Sequence, residues 1–394
     1  MKLSAKALGI SPSITLKVTA MAKKMQQEGR DVVGFGAGEP DFDTPANIVE
    51  AAKKALDIGF TRYTPSSGTA ELRKAVAARL QRKCGLSYAP GEIIVSNGAK
   101  HSLFNAFAAI LNPGDEVIIP VPYWVTYPEL VRMNDGVPVF LETGSTFKAT
   151  AEGIRSVLTP NTKALILNSP SNPCGTVYTR AELEAIAALA VEKQFFIVSD
   201  EIYDELIYEG EHVSIASLGE EIKKLTILVN GLSKTYAMTG WRIGYTASTK
   251  EIADLMDAYQ SHAASNPNSI AQYAAVEALN GSQDAVEQMR QAFDRRRKLL
   301  SSLINDTEGL SCAVPGGAFY VMMDISKTKG KSYNGEVITG SLDFTELLLK
   351  YAEVAVVPGV SFGADDYVRL SYATSEDAIR TGLERIRAFV RALA

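Results

Sequence analysis

Cysteine and histidine are scarce in this chain of 394 residues, with three of each. Cys84, Cys174 and Cys312 form an odd, scattered set, which argues for reduced thiols and against a disulfide framework. His101, His212 and His262 share no metal-ligand spacing with one another or with a cysteine, so neither zinc chemistry nor Ser-His-Asp chemistry has support. If the chain is an enzyme, something other than histidine moves the proton. Positive charge is not in excess either: the net charge is −5, which gives no basic footprint for nucleic acid. No stretch approaches the ~20 unbroken apolar residues of a membrane span. The opening MKLSAKALGISPS lacks the apolar run of a signal peptide. The expectation is a soluble cytoplasmic protein with neither nucleic acid nor membrane as partner.

What the chain does have is apolar material, 46% of its residues, enough for two or three domains. No repeat and no low-complexity linker interrupts it. Helix-like and strand-like segments alternate over most of the length, which reads as α/β. Helical patterns are expected at 15–28, 101–111 and 180–194, and short strands at 93–95, 117–119, 164–167, 195–198 and 225–229. These strand runs are continuously apolar rather than alternating, as in a parallel sheet covered on both faces. From about residue 285 the character changes. A charged helix over 285–304, strands at 318–323, 355–357 and 367–372, and a final amphipathic helix suggest a smaller α+β unit. The N-terminal helix, with no strand near it, is expected to join that unit. The division is drawn as 39–289 for the large unit, and 1–38 with 290–394 for the small one.

Polar residues gather just after the apolar runs: Gly98-Ala99-Lys100, Asn172, Asp200 with Tyr203, and Ser233-Lys234. In an open parallel sheet, ligands bind beyond the carboxyl ends of the strands, so four segments deliver polar groups to one edge. Within SKTYAMTGWRIGY, Lys234 and Arg242 have no carboxylate to pair with. An amine taken out of water tends to lose its proton and become a nucleophile. The glycine turn of SNGAKHSLF opens a helix whose free N–H groups suit a phosphate. Asp200 at a strand end reads either as a helix N-cap or as a carboxylate buried to hold a pyridinium proton. Taken singly, the cap and an ordinary βα turn are the commoner readings. Taken together, an imine-forming lysine, an aspartate for a ring nitrogen, and a helix N-terminus with Ser233 and Arg242 for a phosphate describe pyridoxal phosphate. Arg369, in the apolar pattern YVRLSYAT, is a bidentate donor suited to a carboxylate, or else an outward-facing strand residue.

The segments GAGEPDFDTP, YTPSSG, PYWVTYPE, NSPSNPCG, VSDEIY, SKTYAMTGWRIGY and VRLSYATS occur in this order over nearly the whole chain. By them the sequence resembles the class I aminotransferases of fold type I, in particular the aspartate aminotransferase subgroup found in bacilli and Thermus. The resemblance implies a pyridoxal 5'-phosphate enzyme that transfers an amino group between L-aspartate and 2-oxoglutarate, as a homodimer with shared active sites. It implies Lys234 for the Schiff base and Asp200 for the ring nitrogen. Asn172 and Tyr203 fall to the phenolic oxygen and Trp124 to stacking on the ring. Gly98, Ala99, Lys100, Ser233 and Arg242 fall to the phosphate, and Tyr63 to the phosphate of the neighbouring subunit. Arg369 would clamp the substrate α-carboxylate, aided by Asn172, Trp124 and the backbone of Gly38. A broader, aromatic, alanine or prephenate aminotransferase is the alternative, and a lyase of the same fold a more distant one. A ligand-sensing regulator would need a DNA-binding domain ahead of this fold, and the match beginning near residue 5 leaves none.

Three departures from the family pattern stand out. Cys174 replaces the usual threonine of Asn-Pro-Thr-Gly, with Asn172 intact. YQSHAASNPN lacks the interface arginine that another subgroup uses for the distal carboxylate, so Lys100 is the candidate here and Lys17 a weaker one. Ser11 stands where prephenate-using relatives carry a lysine, which lowers that reading.

Overall fold

The computed structural model describes residues 2–11 and 14–394, with the side chains of residues 14–19 and of Lys23 outside the description. Seven strands form its central sheet: β1 (Ile93–Ser96), β2 (Glu116–Val121), β3 (Val137–Glu142), β4 (Thr162–Asn168), β5 (Phe196–Asp200), β6 (Thr226–Gly231) and β7 (Gly244–Ala247). Their order is β1-β7-β6-β5-β4-β2-β3, and β7 alone runs antiparallel to its neighbours. The pairs from β6 to β3 are all parallel.

Both faces of this sheet are covered, which explains the unbroken apolar runs. Val117, Ala164, Ile166, Val198 and Ile227 pack on one side against Leu103, Phe107 and Met256. Ile118, Leu165, Leu167 and Ile197 pack on the other against Leu183 and Ile186. The expected strands and helices over residues 93–229 are present, each within about three residues of its expected ends. Two strands were not expected. β3 is an edge strand with mostly exposed or half-buried residues, so it lacks an apolar run. β7 lies inside the glycine-rich stretch after Arg242 and reads as loop from its composition. It fits because Gly244 has no side chain: a Cβ there would overlap the backbone of Gly98 and Ala99.

The C-terminal part has its own three-stranded antiparallel sheet of Val357–Pro358, Tyr367–Ser371 and Tyr320–Asp324. The strand expected at 355–357 is two strands. Val354–Ala355 pairs in parallel with Val33–Gly34, and Val357–Pro358 pairs with Tyr367–Ser371. Val356 between them is buried in the core, so one apolar run serves two sheets. The helix Ile14–Gln27 buries Ala22 against Val32, Leu349 and Ala355. The helix Asp284–Asn305 is continuous across residues 289 and 290.

Candidate active site

Asp200 is the last residue of β5 and is buried, 3% exposed. No helix follows it. Its Oδ1 accepts from the N–H of Ile202 at 3.2 Å, closing a turn, and its Oδ2 accepts from the Tyr127 hydroxyl at 2.8 Å. The cap alternative therefore gives way to a carboxylate held in the interior. Burial pushes its pKa up to about 6, against the two hydrogen bonds that pull it down.

Lys234 follows β6, and its ammonium donates to the Gly38 carbonyl at 2.6 Å. Burial lowers its pKa to about 8; the Glu39 charge opposes the shift, and the charges of Arg242 and Arg369 add to it. Lys234 thus sits closer to its neutral, nucleophilic form than a solvated lysine does.

Arg242 is reached through a backbone turned into the left-handed region, φ 57°, a costly conformation for a long side chain. Its Nη1 donates to the Thr239 carbonyl at 2.8 Å and its Nη2 to the Asn97 carbonyl at 3.4 Å. That aims the guanidinium at the start of the helix Ala99–Ile110. The cap residue there is Gly98, φ 85°, with no side chain to occupy the first N–H groups. A Cβ on Gly98 would overlap the Arg242 guanidinium. Free helix N–H groups, Arg242 and the buried Ser233 converge as an anion site requires.

Arg369 projects from the strand Tyr367–Ser371 into the interior and is 2% exposed. The outward-facing alternative is thus overturned. Nη1 donates to Asn172 Oδ1 at 3.0 Å and Nη2 to the Gly36 carbonyl at 3.1 Å. Nε is buried and has no partner. Burial lowers this guanidinium's pKa, and only tyrosines, Tyr320 and Tyr203, oppose the shift. A buried cation without a carboxylate is costly unless a ligand supplies one.

All these groups face one cavity of about 320 Å³, a size suited to a small ligand. Gly38, Ala99, Lys100, Trp124, Asn172, Asp200, Tyr203, Ser233, Lys234, Arg242 and Arg369 line it. Gly98 is not among its lining residues and immediately precedes Ala99, which is. Tyr63 does not line it: the side chain is 90% exposed on the surface. Lys17's side chain lies outside the described residues. Lys100 holds its ammonium 5.0 Å from the Trp124 ring centroid, and burial, then the Arg242 charge, lowers its pKa. Cys174 is buried among Met322, Val357 and Phe362 as an apolar filler.

Two tyrosines escaped the sequence reading. Tyr127 belongs to the quoted segment PYWVTYPE, three residues beyond Trp124, but nothing local marks its hydroxyl as the donor to Asp200. Tyr320 pairs its hydroxyl with that of Tyr203 at 3.0 Å, and its ring lies 4.5 Å from the Arg369 guanidinium carbon. It sits in an ordinary apolar strand, and no signal in the sequence distinguishes it.

An amine, a buried carboxylate, an anion cradle and an arginine without a carboxylate partner thus share one cavity. Residues 30–386 match the family model described as aminotransferase class I and II. This chain belongs to that family. Among aminotransferases it is 48% identical to the aspartate aminotransferase of Geobacillus stearothermophilus over the full length of both chains. It is 50% identical to that of Bacillus sp. strain YM-2 over 97% of each. It is 47% identical to the aspartate/prephenate aminotransferase of Thermus thermophilus over 97% of each. The solved aspartate aminotransferase of Rhizobium meliloti superimposes with a TM-score of 0.97 at 43% identity, covering 100% of both chains. That of Thermus thermophilus with maleate gives 0.93 at 46% identity, covering 98% of this chain and 99% of that one. The architecture is that of the fold type I aminotransferases, as the sequence led us to expect.

Proposed function

We propose that this aminotransferase uses pyridoxal 5'-phosphate to move the amino group between L-aspartate and 2-oxoglutarate. The observation that carries the reading is the buried Arg369, with its unpartnered Nε, in one cavity with the lowered amine of Lys234. The donor set fits the cofactor, and the room left at Gly98 for Arg242 supports a phosphate there. The names of the Geobacillus and Bacillus relatives, and the maleate bound to the Thermus protein, support dicarboxylic substrates.

In this reading the phosphate is held by Ser233, Lys100, Arg242 and the N–H groups at Gly98 and Ala99. Trp124 covers the ring face, and Asn172 and Tyr203 bind the ring's phenolic oxygen. Asp200 keeps a proton on the ring nitrogen, and Tyr127 holds Asp200 in place. The cofactor, once bound, supplies an aldehyde for the substrate amine and a ring that accepts electrons from the substrate Cα. Lys234 would hold the cofactor between turnovers, and its freed Nζ would take the proton from the substrate Cα. Arg369 binds the α-carboxylate at two points, assisted by Asn172 and Gly38, and so fixes which Cα bond breaks. Lys100 meets the distal carboxylate. Tyr63, exposed on the surface, serves the phosphate of a second copy in a homodimer. The unit 39–289 carries the cofactor, and 1–38 with 290–394 bring Arg369 and Gly38 to it. A cytoplasmic location accompanies this reading.

The test is the absorbance spectrum of the purified protein. Aspartate alone should abolish the visible cofactor band, and 2-oxoglutarate should restore it. A band indifferent to aspartate would overturn the substrate, and no band after adding pyridoxal 5'-phosphate would overturn the role of Lys234. The name of the Thermus relative supports prephenate as a second acceptor, tested by restoring the band with prephenate.

A further inference from the structure

At Glu201, the residue after Asp200, three side chains that are distant in sequence come together. Cys84 ends the helix Ala70–Cys84, Glu201 follows β5, and His212 lies on the loop beyond it. One ligand atom from each lies within 4.8 Å of the other two. Glu201 is 2% exposed, and the His212 side chain is nine-tenths buried. We propose that Cys84, Glu201 and His212 form a structural site for one soft divalent cation, with zinc the best fit.

The ligand chemistry favours zinc. Thiolate, imidazole and carboxylate together suit it, whereas magnesium and calcium avoid sulfur. Two anionic ligands and one dication sum to zero charge, which suits a buried place. Zinc sits about 2.3 Å from sulfur and about 2.0–2.2 Å from nitrogen or oxygen, so its tetrahedral ligands lie roughly 3.3–3.7 Å apart. The cluster is within about 1 Å of that.

The hydrogen bonds prepare the site. Glu201 Oε1 accepts from Ser199 at 2.9 Å and from Ser214 at 2.7 Å, which fixes the carboxylate. Its Oε2 lies 2.8 Å from His212 Nε2. In the neutral imidazole that contact puts the proton on Nε2, and Nδ1 is buried with no partner. A cation that also binds Glu201 Oε2 replaces the Nε2 proton, and the imidazole then carries its proton on Nδ1. The ion would tie a helix end, a sheet edge and a loop together one residue from Asp200, with water in the fourth position.

Untagged holoenzyme, stripped with chelator, incubated with zinc and then gel-filtered, tests the site by metal analysis. We expect one zinc per chain in the wild type and in Cys174→Ser and Cys312→Ser. We expect none in Cys84→Ser or His212→Gln, with the cofactor absorbance of both variants intact. No retained zinc in the wild type, or equal retention in Cys84→Ser, would overturn the proposal. Cobalt(II) added to the wild type needs no variant to fold. Strong visible d–d bands, at longer wavelength than the cofactor's, mark tetrahedral thiolate ligation; a weak octahedral spectrum would overturn it.

Discussion

Replacing Asp200 with asparagine in the cofactor-free protein isolates the cost of keeping a carboxylate in the interior. Burial raises this group from 3.8 to about 6, a gap worth about 3 kcal/mol of folding free energy. The sign follows from proton binding. The folded state binds the Asp200 proton more tightly than the unfolded chain, so its contribution is full below about pH 4 and is lost as pH rises through about 6. Asparagine has no charge to bury. The Tyr127 hydroxyl can turn to accept from the new amide, while Ile202 keeps its acceptor. The stability gained by Asp200→Asn should thus grow from near zero at about pH 4 to about 3 kcal/mol at about pH 7.5. Urea unfolding at several pH values, at one fixed protein concentration, measures it. The same variant should lose transaminase activity. A gain independent of pH, or one that shrinks as pH rises, would refute the assignment of a costly buried charge to Asp200.

Lys234→Ala should abolish turnover while the protein still binds the cofactor non-covalently; full activity in a steady-state assay would sink the mechanism. Arg369→Leu should cost about 2–5 kcal/mol of transition-state binding, read as kcat/KM for aspartate; an unchanged value removes Arg369 from the site. In cofactor-free protein, acylation of Lys234 should follow a pKa of about 8; reaction only at the pH of an ordinary lysine would deny its burial. Gly98→Ala, at φ 85° and against the Arg242 guanidinium, should speed cofactor loss on dialysis. Retention equal to wild type would show that the cradle tolerates a Cβ.

Much of the chemistry was legible along the chain because it is punctuated locally. An apolar run that ends in Asp200, or in Ser233-Lys234, announces a strand end with a reactive group on it, and a parallel sheet puts such ends on one edge. The absence of carboxylates around Lys234 and Arg242 is likewise a local fact. β3 escaped because an edge strand needs no apolar run, and β7 because its glycines answer to the neighbouring helix start. The single run at 355–357 could not announce that it serves two sheets.

By itself, then, the sequence determined the class of fold, the family and most of the residues that line the cavity, since strand ends and glycine turns are written in consecutive residues. Only the tertiary structure decided that Asp200 has no helix to cap, that Arg369 points inward with Nε unpartnered, and that Tyr127 and Tyr320 stand behind them. It alone brought Cys84, Glu201 and His212 together. Burial and contact between distant segments set these properties, and the energy of a charge depends on what surrounds it in space, which spacing along the chain does not encode.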